Sequence, residues 1–365
     1  MYTKIFLISI LAILSPTNGA VDKVICYYES WVSDFAPEDI DVSACTHVNY
    51  AFVGINPDGS FRLDGSDDVL RRLGALKSRN PGLKLLISVG GWSEGSTKFS
   101  DVAADPGKKI NVAYSTLYYM QTYNFDGIDI DWEYPGQRGG TPADKENFID
   151  MLWVIRNVLD QNGGGLITVA VSSYPDPSSY NVNAISQAVD AINVMTYDFH
   201  SASSGQKTGE NSPLYASSSD SDWERNNANC DAAINNWLNS GADPTKVVLG
   251  LGFYGQSFQL ADGNQHGIGS PIVGPGLNGG QVIYGELCKL NDGWVNAWDD
   301  EQEVPYKYSG DQWIGYDDPQ SIALKVQYAK SRNLGGVMMW AVNQDDKAGA
   351  CGDRNGLLQA IKNNL

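Results

Sequence analysis

Three acidic side chains alternate along one short apolar segment of the chain. Asp129, Asp131 and Glu133 lie two residues apart, and the residues between them are Ile130 and Trp132. In a β-strand, side chains two apart share a face at a spacing of roughly 7 Å, so all three carboxyl groups would project to the same side. Mutual repulsion raises the pKa of at least one such group, which is what a general acid at neutral pH requires. The pattern predicts acid–base chemistry carried by carboxylates.

Composition supports carboxylate chemistry and limits the alternatives. The 365 residues include only three histidines, His47, His200 and His266, and no H-E-x-x-H or Cys-x-x-Cys pattern. A metal site would therefore have few ligands to draw on, and we expect neither a metal nor an organic cofactor. The formal net charge of −18 disfavours a nucleic-acid or anionic-membrane partner, because both would be repelled. The 10 Trp and 19 Tyr favour a neutral partner that stacks on rings, such as a sugar.

The first 20 residues have the features of a secretory signal peptide. Lys4 precedes an apolar run from Ile5 to Leu14, and small residues follow up to Ala20. The run is too short to span a bilayer, and no second hydrophobic stretch approaches that length. We expect residues 1–20 to be removed and residues 21–365 to be secreted, extracellular and without membrane contact. In a secreted chain the five cysteines are candidates for disulfides, but their spacing alone does not select the pairs.

Short apolar runs alternate with helical patterns along residues 21–365. The runs are Lys23–Tyr28, Thr46–Val53, Lys84–Val89, Gly127–Asp131, Leu166–Ser172, Ala191–Thr196, Val247–Leu251 and Gly336–Trp340. The helical patterns include Asp68–Ser78, Asp144–Leu159, Asn226–Ser240 and Gln320–Ser331. Apolar strands alternating with helices are typical of a parallel sheet covered on both faces. Eight such units predict an α/β fold of the TIM (β/α)₈ barrel type, with Glu133 at the C-terminal strand ends where barrel active sites lie.

One interval departs from this alternation. From Tyr254 to about Asp318 the sequence is rich in Gly, with short alternating pieces such as Gln281–Tyr284 and Val304–Tyr308. We predict a small α+β insertion at about residues 255–318, between the seventh strand and its helix. Its aromatic residues are candidates for one wall of a cleft. Residues 21–365 are therefore expected to form one catalytic barrel that carries this insertion.

The acidic segment and several others resemble one enzyme family. Asp126, Asp129, Asp131 and Glu133 form D-x-x-D-x-D-x-E, which resembles the signature of the family 18 glycoside hydrolases, the chitinases. Other segments in family order are Cys26-Tyr27-Tyr28 with Trp31, Ser88-Val89-Gly90-Gly91-Trp92, Asn193-Val194-Met195-Thr196-Tyr197-Asp198, Gly209–Tyr215, Tyr254-Gly255 and Met339-Trp340-Ala341. The resemblance covers essentially the whole of residues 21–365.

The resemblance implies a role for each matching residue. Glu133 would donate a proton to the glycosidic oxygen, Asp131 would hold the acetamido N–H of the substrate, and Asp129 would share a proton with Asp131. The hydroxyl of Tyr197 would bind the acetyl carbonyl, and Trp340 would lie beneath the sugar at the cleavage point. The other substrate-binding residues would be Tyr27, Trp31, Trp92, Met195, Asp198 and Tyr254. The bridges of the family would be Cys26–Cys45 and Cys288–Cys351, which leaves Cys230 free.

Two departures from the family pattern affect the expected cleft. The family often has Trp a few residues beyond its Tyr-Asp, but here Asp198 is followed by Phe199, His200 and a serine-rich stretch. The family's Y-G-R is Tyr254-Gly255-Gln256. One aromatic platform and one cationic contact are therefore expected to be missing on the product side. Tyr27, Tyr254 and Trp340 are also candidates for core packing, because large aromatic side chains are mostly buried.

Three other functions compete with a chitinase. Gly91-Trp92-Ser93-Glu94-Gly95 is a G-x-S-x-G pentapeptide, as in α/β-hydrolases, but no histidine follows a final strand. Lectin-like members of the family bind chitin oligosaccharides without cleaving them, and they typically lose the Glu that is present here as Glu133. An endo-β-N-acetylglucosaminidase would act on the chitobiose core of glycoproteins, but the flanking motifs favour chitinases of animal type. We predict a secreted, monomeric chitinase that cleaves β-1,4 bonds between N-acetylglucosamine units with retention and substrate assistance.

Overall fold

Strands and helices alternate along residues 21–365, which are the residues that the computed structural model describes. The signal peptide predicted at residues 1–20 lies outside the described residues. Within residues 21–365, no helix is both long and apolar enough to cross a membrane.

The described residues contain fifteen strands and ten α-helices. The strands are β1 (Lys23–Glu29), β2 (His47–Ile55), β3 (Phe61–Arg62), β4 (Lys84–Gly90), β5 (Gly127–Asp131), β6 (Leu166–Ser172), β7 (Ala191–Met195), β8 (Val247–Gly252), β9 (Tyr254–Leu260), β10 (Ile272–Pro275), β11 (Gln281–Ile283), β12 (Val295–Asp299), β13 (Val304–Ser309), β14 (Gln312–Gly315) and β15 (Gly336–Trp340). The helices are α1 (Asp67–Ala75), α2 (Thr97–Ala104), α3 (Pro106–Tyr123), α4 (Asp144–Gln161), α5 (Val182–Ala188), α6 (Asp222–Asn227), α7 (Cys230–Asn239), α8 (Tyr284–Leu287), α9 (Pro319–Ser331) and α10 (Gly356–Asn364).

Eight parallel strands close into a barrel. Their order is β1, β2, β4, β5, β6, β7, β8 and β15, and β15 pairs with β1 to complete the circle. Each strand coincides with one of the apolar runs of the sequence, and β3 adds a short antiparallel hairpin to β2. The closed circle of eight parallel strands confirms the predicted TIM barrel. These runs form its strands because strands buried on both faces of a sheet are apolar along their whole length.

Alternation along the strands divides the core into two layers. Outward-facing residues such as Ile128 and Ile130 are buried beneath the helices. Inward-facing residues such as Ile25, Val248 and Met338 form a smaller apolar cluster inside the barrel. Successive side chains of a strand point to opposite faces, so the acidic residues of β5 belong to the inner layer.

A second sheet follows β8 and precedes α9. It is antiparallel in the order β10, β9, β14, β13, β12, with β11 paired to β9, and the short helix α8 follows β11. Phe258 and Trp313 are fully buried and form a separate aromatic cluster against Tyr306. This α+β unit thus has a core of its own.

One predicted helix is broken in the structure. The pattern indicated a single helix over Asn226–Ser240, whereas α6 ends at Asn227 and α7 begins at Cys230. The side chain of Asn229 accepts a hydrogen bond of 2.8 Å from the backbone N–H of Ala232 and so caps α7. Asparagine side chains compete for backbone hydrogen bonds, which favours a cap over a continuous helix here.

Two disulfides join segments that are distant in the chain. Cys26 in β1 is bonded to Cys45 just before β2, and Cys288 after α8 is bonded to Cys351 before α10. These are the pairs that the family resemblance implies. Cys230 is a free, buried thiol at the start of α7. The second bridge ties the α+β unit to the C-terminal part of the chain.

Candidate active site

Asp129 lies inside the barrel and is saturated with hydrogen-bond donors. It is fully buried and accepts hydrogen bonds from Tyr27 at 2.8 Å, Ser88 at 2.7 Å, Thr168 at 2.5 Å and Asn193 at 3.3 Å. The donors come from β1, β4, β6 and β7. Burial raises the pKa of Asp129, and these hydrogen bonds oppose that rise because they stabilise the ionised form. Ser88 is thus a polar partner of this carboxyl.

Asp131 is one step nearer the C-terminal end of β5 and is poorly satisfied. It is 4% exposed, and its Oδ1 atom has no hydrogen-bond partner among residues 21–365. Burial raises the pKa of Asp131 well above its usual value, and the charges of Glu133 and Asp129 raise it further. A buried carboxyl oxygen without a hydrogen bond lowers the stability of the protein, and a donor on a bound ligand would remove that cost.

The backbone beside Asp131 needs a glycine. Gly90 on β4 has a φ of 116°, and a Cβ added there would lie 2.1 Å from the carbonyl oxygen of Asp131. No side chain fits that space, and few L residues adopt that conformation. Gly90 therefore permits the close approach of β4 and β5 at the site.

Glu133 lies two residues beyond β5, where the barrel opens. It is 9% exposed, and burial raises its pKa to about 7, while a hydrogen bond from Tyr134 and the charge of Arg138 oppose the rise. The negative charge of Asp198 acts in the same direction as burial. A carboxyl with this pKa is protonated in a substantial fraction of molecules at neutral pH, so it can act as a general acid.

A cleft of about 640 Å³ lies over the C-terminal ends of the barrel strands. Its lining includes Asp131, Glu133, Tyr197 and every residue predicted to bind substrate, namely Tyr27, Trp31, Trp92, Met195, Asp198, Tyr254 and Trp340. Asp129 lies beneath the cleft rather than in its wall. The structure thus brings the residues singled out in the sequence into one cavity of the size that a small-molecule ligand occupies.

Three stacked aromatic rings form part of the cleft wall. Phe52 stacks on Trp340 with ring centroids 5.4 Å apart, and Trp31 stacks on Phe52 at 6.1 Å. Trp31 is 58% exposed, so much of its ring is open to a ligand. Sequence reasoning missed Phe52, although its place at the end of the second apolar run was a usable signal.

Arg138 is a second residue that sequence reasoning missed. Its guanidinium carbon lies 3.6 Å from the centroid of the Trp92 ring, a cation–π arrangement. The same guanidinium donates hydrogen bonds to the carbonyl oxygens of Trp92 at 2.9 Å and Glu133 at 3.0 Å. Trp92 is 61% exposed, so this contact holds a ring that is otherwise mostly in solvent.

The α+β unit contributes less to the cleft than expected. Of its residues, Tyr254 and Gln281 line the cavity, whereas Phe258 and Trp313 are buried in the core of the unit. Gln256 takes the place of the expected arginine and donates a hydrogen bond of 2.7 Å to Oδ1 of Asp198. Burial raises the pKa of Asp198, and the hydrogen bonds from Tyr254 and Gln256 lower it.

Ser93 also lines the cleft but has no histidine partner. His200 is hydrogen-bonded to the carbonyl of Glu210 at 3.0 Å, and His266 stacks on Tyr308 at 4.0 Å. Without a base beside it, a serine hydroxyl is a weak nucleophile. Among residues 21–365, one trio of side chains, Cys288, Asp346 and Cys351, lies close enough to hold a metal ion. Its two sulfur atoms are bonded to each other and offer no thiolate.

The barrel and the line of carboxyl groups that ends in its cleft define a TIM-barrel protein with an acidic cleft. The sequence profile of the glycosyl hydrolases family 18 matches residues 23–345. The chain belongs to this family.

Both cleaving and non-cleaving proteins are among its relatives. Chitotriosidase-1 of Mus musculus is 35% identical over 93% of this chain and 77% of its own length. The Group IV chitinase of Ostrinia furnacalis superposes with a TM-score of 0.90 at 38% identity, covering 94% of this chain and 100% of that one. Human YKL-39, described as a pseudo-chitinase with retained chitooligosaccharide binding, superposes with a TM-score of 0.88 at 31% identity, covering 94% and 99%.

Proposed function

We propose that this chain is a secreted, monomeric chitinase that hydrolyses β-1,4 bonds between N-acetylglucosamine units. The observation that carries the proposal is Glu133, a buried carboxyl at the cleft whose pKa is raised to about 7. Such a group can give its proton to a glycosidic oxygen and later take a proton from water. The chitinases among its relatives support the substrate class.

In the proposed first step, the protonated Glu133 transfers its proton to the glycosidic oxygen as the bond to the anomeric carbon breaks. Ordinary retaining glycosidases supply a carboxylate nucleophile about 5–5.5 Å from the acid, and family 18 enzymes are substrate-assisted exceptions. Asp131 shares the strand face of Glu133, so it does not reach the opposite side of the sugar. The 2-acetamido carbonyl of the substrate is the remaining nucleophile, and its attack yields an oxazolinium ion.

Water completes the proposed reaction. The ionised Glu133 takes a proton from the attacking water as the new carbon–oxygen bond forms and the oxazolinium ring opens, which restores the acid. The acetamido carbonyl and the water attack opposite faces of the anomeric carbon, so the β-configuration is retained. No cofactor enters either step.

Two side chains would hold the acetamido group in the proposed reaction. Oδ1 of Asp131 has no partner in the described part of the chain and can accept the acetamido N–H. The hydroxyl of Tyr197 has the sulfur of Met338, a weak acceptor, at 3.9 Å, so it can donate to the acetyl carbonyl instead. Groups fixed in advance around a developing charge stabilise it without reorganisation.

A binding protein without hydrolysis is the second candidate function. The match to human YKL-39 favours it, since that protein retains chitooligosaccharide binding as a pseudo-chitinase. The aromatic wall of Trp31, Phe52 and Trp340 would serve both functions equally. The carboxyl group of Glu133, which lectin-like members of the family typically lose, distinguishes the two, and its presence favours the enzyme.

The test compares the purified protein with its Glu133→Gln variant on the N-acetylglucosamine hexamer. Products are followed by mass spectrometry and binding by calorimetry. We expect the amide to lower turnover by about 10²–10⁴-fold, because it cannot deliver a proton, and to leave binding intact. Glu146→Gln, on the surface of α4, is the matched control and should keep full turnover.

The other outcomes separate the alternatives. Tight binding by an inert wild-type protein would identify a lectin. Release of glycans from a glycoprotein, with the hexamer left intact, would identify an endo-β-N-acetylglucosaminidase. Near wild-type turnover of Glu133→Gln would remove Glu133 from the mechanism. Sequencing the N-terminus of the protein exported by a eukaryotic host tests secretion, and we expect it to begin near Val21.

A further inference from the structure

Asn211 bridges two chain segments that carry cleft residues. It is fully buried, and its Oδ1 accepts a hydrogen bond of 3.0 Å from the backbone N–H of Asp198. Its Nδ2 donates a hydrogen bond of 2.9 Å to the carbonyl oxygen of Tyr254. One side-chain amide therefore joins the turn after β7 to the start of β9. Asn211 itself is absent from the cleft lining.

The turn after β7 needs such support. Pairing between β7 and β8 ends at Val194 and Leu249, so the N–H of Asp198 has no strand partner. Asp198 has a φ of 59°, in the left-handed region that costs a residue with a Cβ about 1 kcal/mol or more. The N–H of Asp198 is partly buried in this strained turn and needs an acceptor, which Asn211 supplies.

Asn211 is in turn held firmly by its neighbours. Its carbonyl oxygen accepts a hydrogen bond of 3.1 Å from the N–H of Phe199. The next residue, Ser212, donates to the carbonyl oxygen of Thr196 at 2.6 Å and accepts from the buried Lys325 at 2.8 Å. A Cβ added to Gly252 would lie 3.0 Å from Nδ2 of Asn211, so the amide fills space that a larger residue would need. Hydrogen bonds thus hold the backbone of Asn211 and the neighbouring Ser212, and Gly252 packs closely against the side-chain amide.

We propose that Asn211 is a positioning residue for the hydrolysis described above. Its amide fixes the separation of the Tyr197–Asp198 turn from Tyr254, and so directs the side chains of Tyr197 and Asp198 into the cleft. This inference rests on the proposed function. A displacement of about 1 Å at reacting groups can lower a rate by about 10²-fold, and loss of the amide frees the N–H of Asp198 and the carbonyl of Tyr254 to move.

The first test is the Asn211→Ala variant on the N-acetylglucosamine hexamer. We expect kcat to fall by about 10- to 100-fold, with a smaller rise in KM, in protein that remains folded by circular dichroism. Asn229→Ala is the matched control, because Asn229 is an equally buried amide that caps α7 away from the cleft. The control should lower the melting temperature and leave kcat unchanged. A kcat for Asn211→Ala within twofold of wild type would overturn the proposal.

The second test uses Asn211→Asp, which has almost the shape of the native side chain. When protonated, the new carboxyl offers a hydroxyl donor for Tyr254 and a carbonyl acceptor for Asp198. When ionised, it loses the donor and repels Asp198. We therefore expect the ratio of variant to wild-type kcat to be near one at acidic pH and to fall as pH rises.

The ratio isolates the substitution from the other titrating groups. The nearby groups are Tyr197, Asp198, Tyr254, Glu210 and Lys325, and both proteins contain all of them. If Asn211 does not position the turn, kcat of the folded variant does not depend on ionisation of the new carboxyl, so a flat ratio would overturn the proposal. This measurement also decides the matter if Asn211→Ala does not fold.

The role of Asn211 can be tested even if the protein is not a chitinase. If the wild-type protein does not cleave the hexamer, the chitinase proposal fails, and the bridge is then judged by binding. Asn211→Ala should lose at least about tenfold in affinity for the hexamer, because Asp198 and Tyr254 line the cleft, while Asn229→Ala keeps wild-type affinity. Equal affinity of the two variants for the hexamer would overturn the proposed positioning role of Asn211, whether or not the protein is an enzyme.

Discussion

The hydroxyl of Tyr27 donates a hydrogen bond of 2.8 Å to Asp129, although the two residues are 102 positions apart in the chain. Three further donors saturate the same carboxyl. Asp131, two residues on, has an oxygen with no hydrogen-bond partner among the described residues. Asp129 is therefore held by hydrogen bonds inside the barrel, whereas Asp131 keeps an oxygen that can accept a hydrogen bond from a ligand.

Tyr27→Phe tests this anchoring. Removing one donor from a buried carboxyl should lower the free energy of unfolding by about 1–3 kcal/mol. It should also change the pH–rate profile, because the pKa of Asp129 rises further when a stabilising hydrogen bond is lost. Urea unfolding and kcat measured across pH check both effects. Tyr28→Phe is the matched control, since that hydroxyl donates a hydrogen bond to the carbonyl of Phe35 rather than to Asp129, and a changed profile there would count against the assignment.

Asp131→Asn should move the alkaline limb of the pH–rate profile to lower pH. Burial raises the pKa of Asp131 well above its usual value, and the charge of Glu133 raises it further, so the two carboxyl groups titrate as an interacting pair. A neutral amide at position 131 removes the repulsion between them, so Glu133 ionises at lower pH. Less acid is then protonated at neutral pH, and kcat falls. Rates on the hexamer across the pH range provide the measurement.

Asp126→Asn is the control for that shift. Asp126 belongs to the same acidic motif but lies at the other end of the strand, paired with Lys77 at 2.7 Å. It should leave the position of the limb unchanged. An unshifted limb in Asp131→Asn would show that the two carboxyl groups are not coupled.

Hydrolysis should depend on the acetyl group at the cleavage position. If the 2-acetamido carbonyl is the nucleophile, fully deacetylated oligomers lack it and should resist cleavage, whereas acetylated oligomers of equal length are cleaved. Chromatographic rates on the two sets provide the comparison, and the anomer released first should be β. Comparable turnover of both sets would rule out substrate assistance.

Glu29→Gln should stabilise the protein at neutral and alkaline pH. Glu29 is 6% exposed at the end of β1, and burial raises its pKa to about 7, opposed by a hydrogen bond from Gln344. With the folded-state pKa raised, its contribution is most favourable below the unfolded pKa of about 4.3 and is lost as pH rises through about 7. The amide keeps the hydrogen bond and avoids the buried charge.

The size of that effect follows from the pKa shift. A rise of this order corresponds to about 3 kcal/mol, so Glu29→Gln should gain up to that amount relative to wild type between acidic and mildly alkaline pH. Unfolding free energies at both ends of this range measure the gain. A gain independent of pH would mean that Glu29 is not the group responsible.

Local patterns were enough to predict the barrel and the line of acids. The eight apolar runs coincide with the eight barrel strands, because a strand buried on both faces has a recognisable composition. The alternation of Asp129, Asp131 and Glu133 likewise places them on one strand face, since side-chain direction in a strand has a period of two. Both depend only on near neighbours in the chain.

Contacts between distant segments were decided by the tertiary structure alone. The stacking of Phe52 on Trp340, the guanidinium of Arg138 over Trp92 and the bridge made by Asn211 join residues far apart in sequence. Which side chains meet there depends on strand register and on the closure of β15 against β1. The spacing of the cysteines left their pairing open for the same reason. A periodic pattern specifies which face a residue occupies, but only the closed barrel specifies what lies opposite that face.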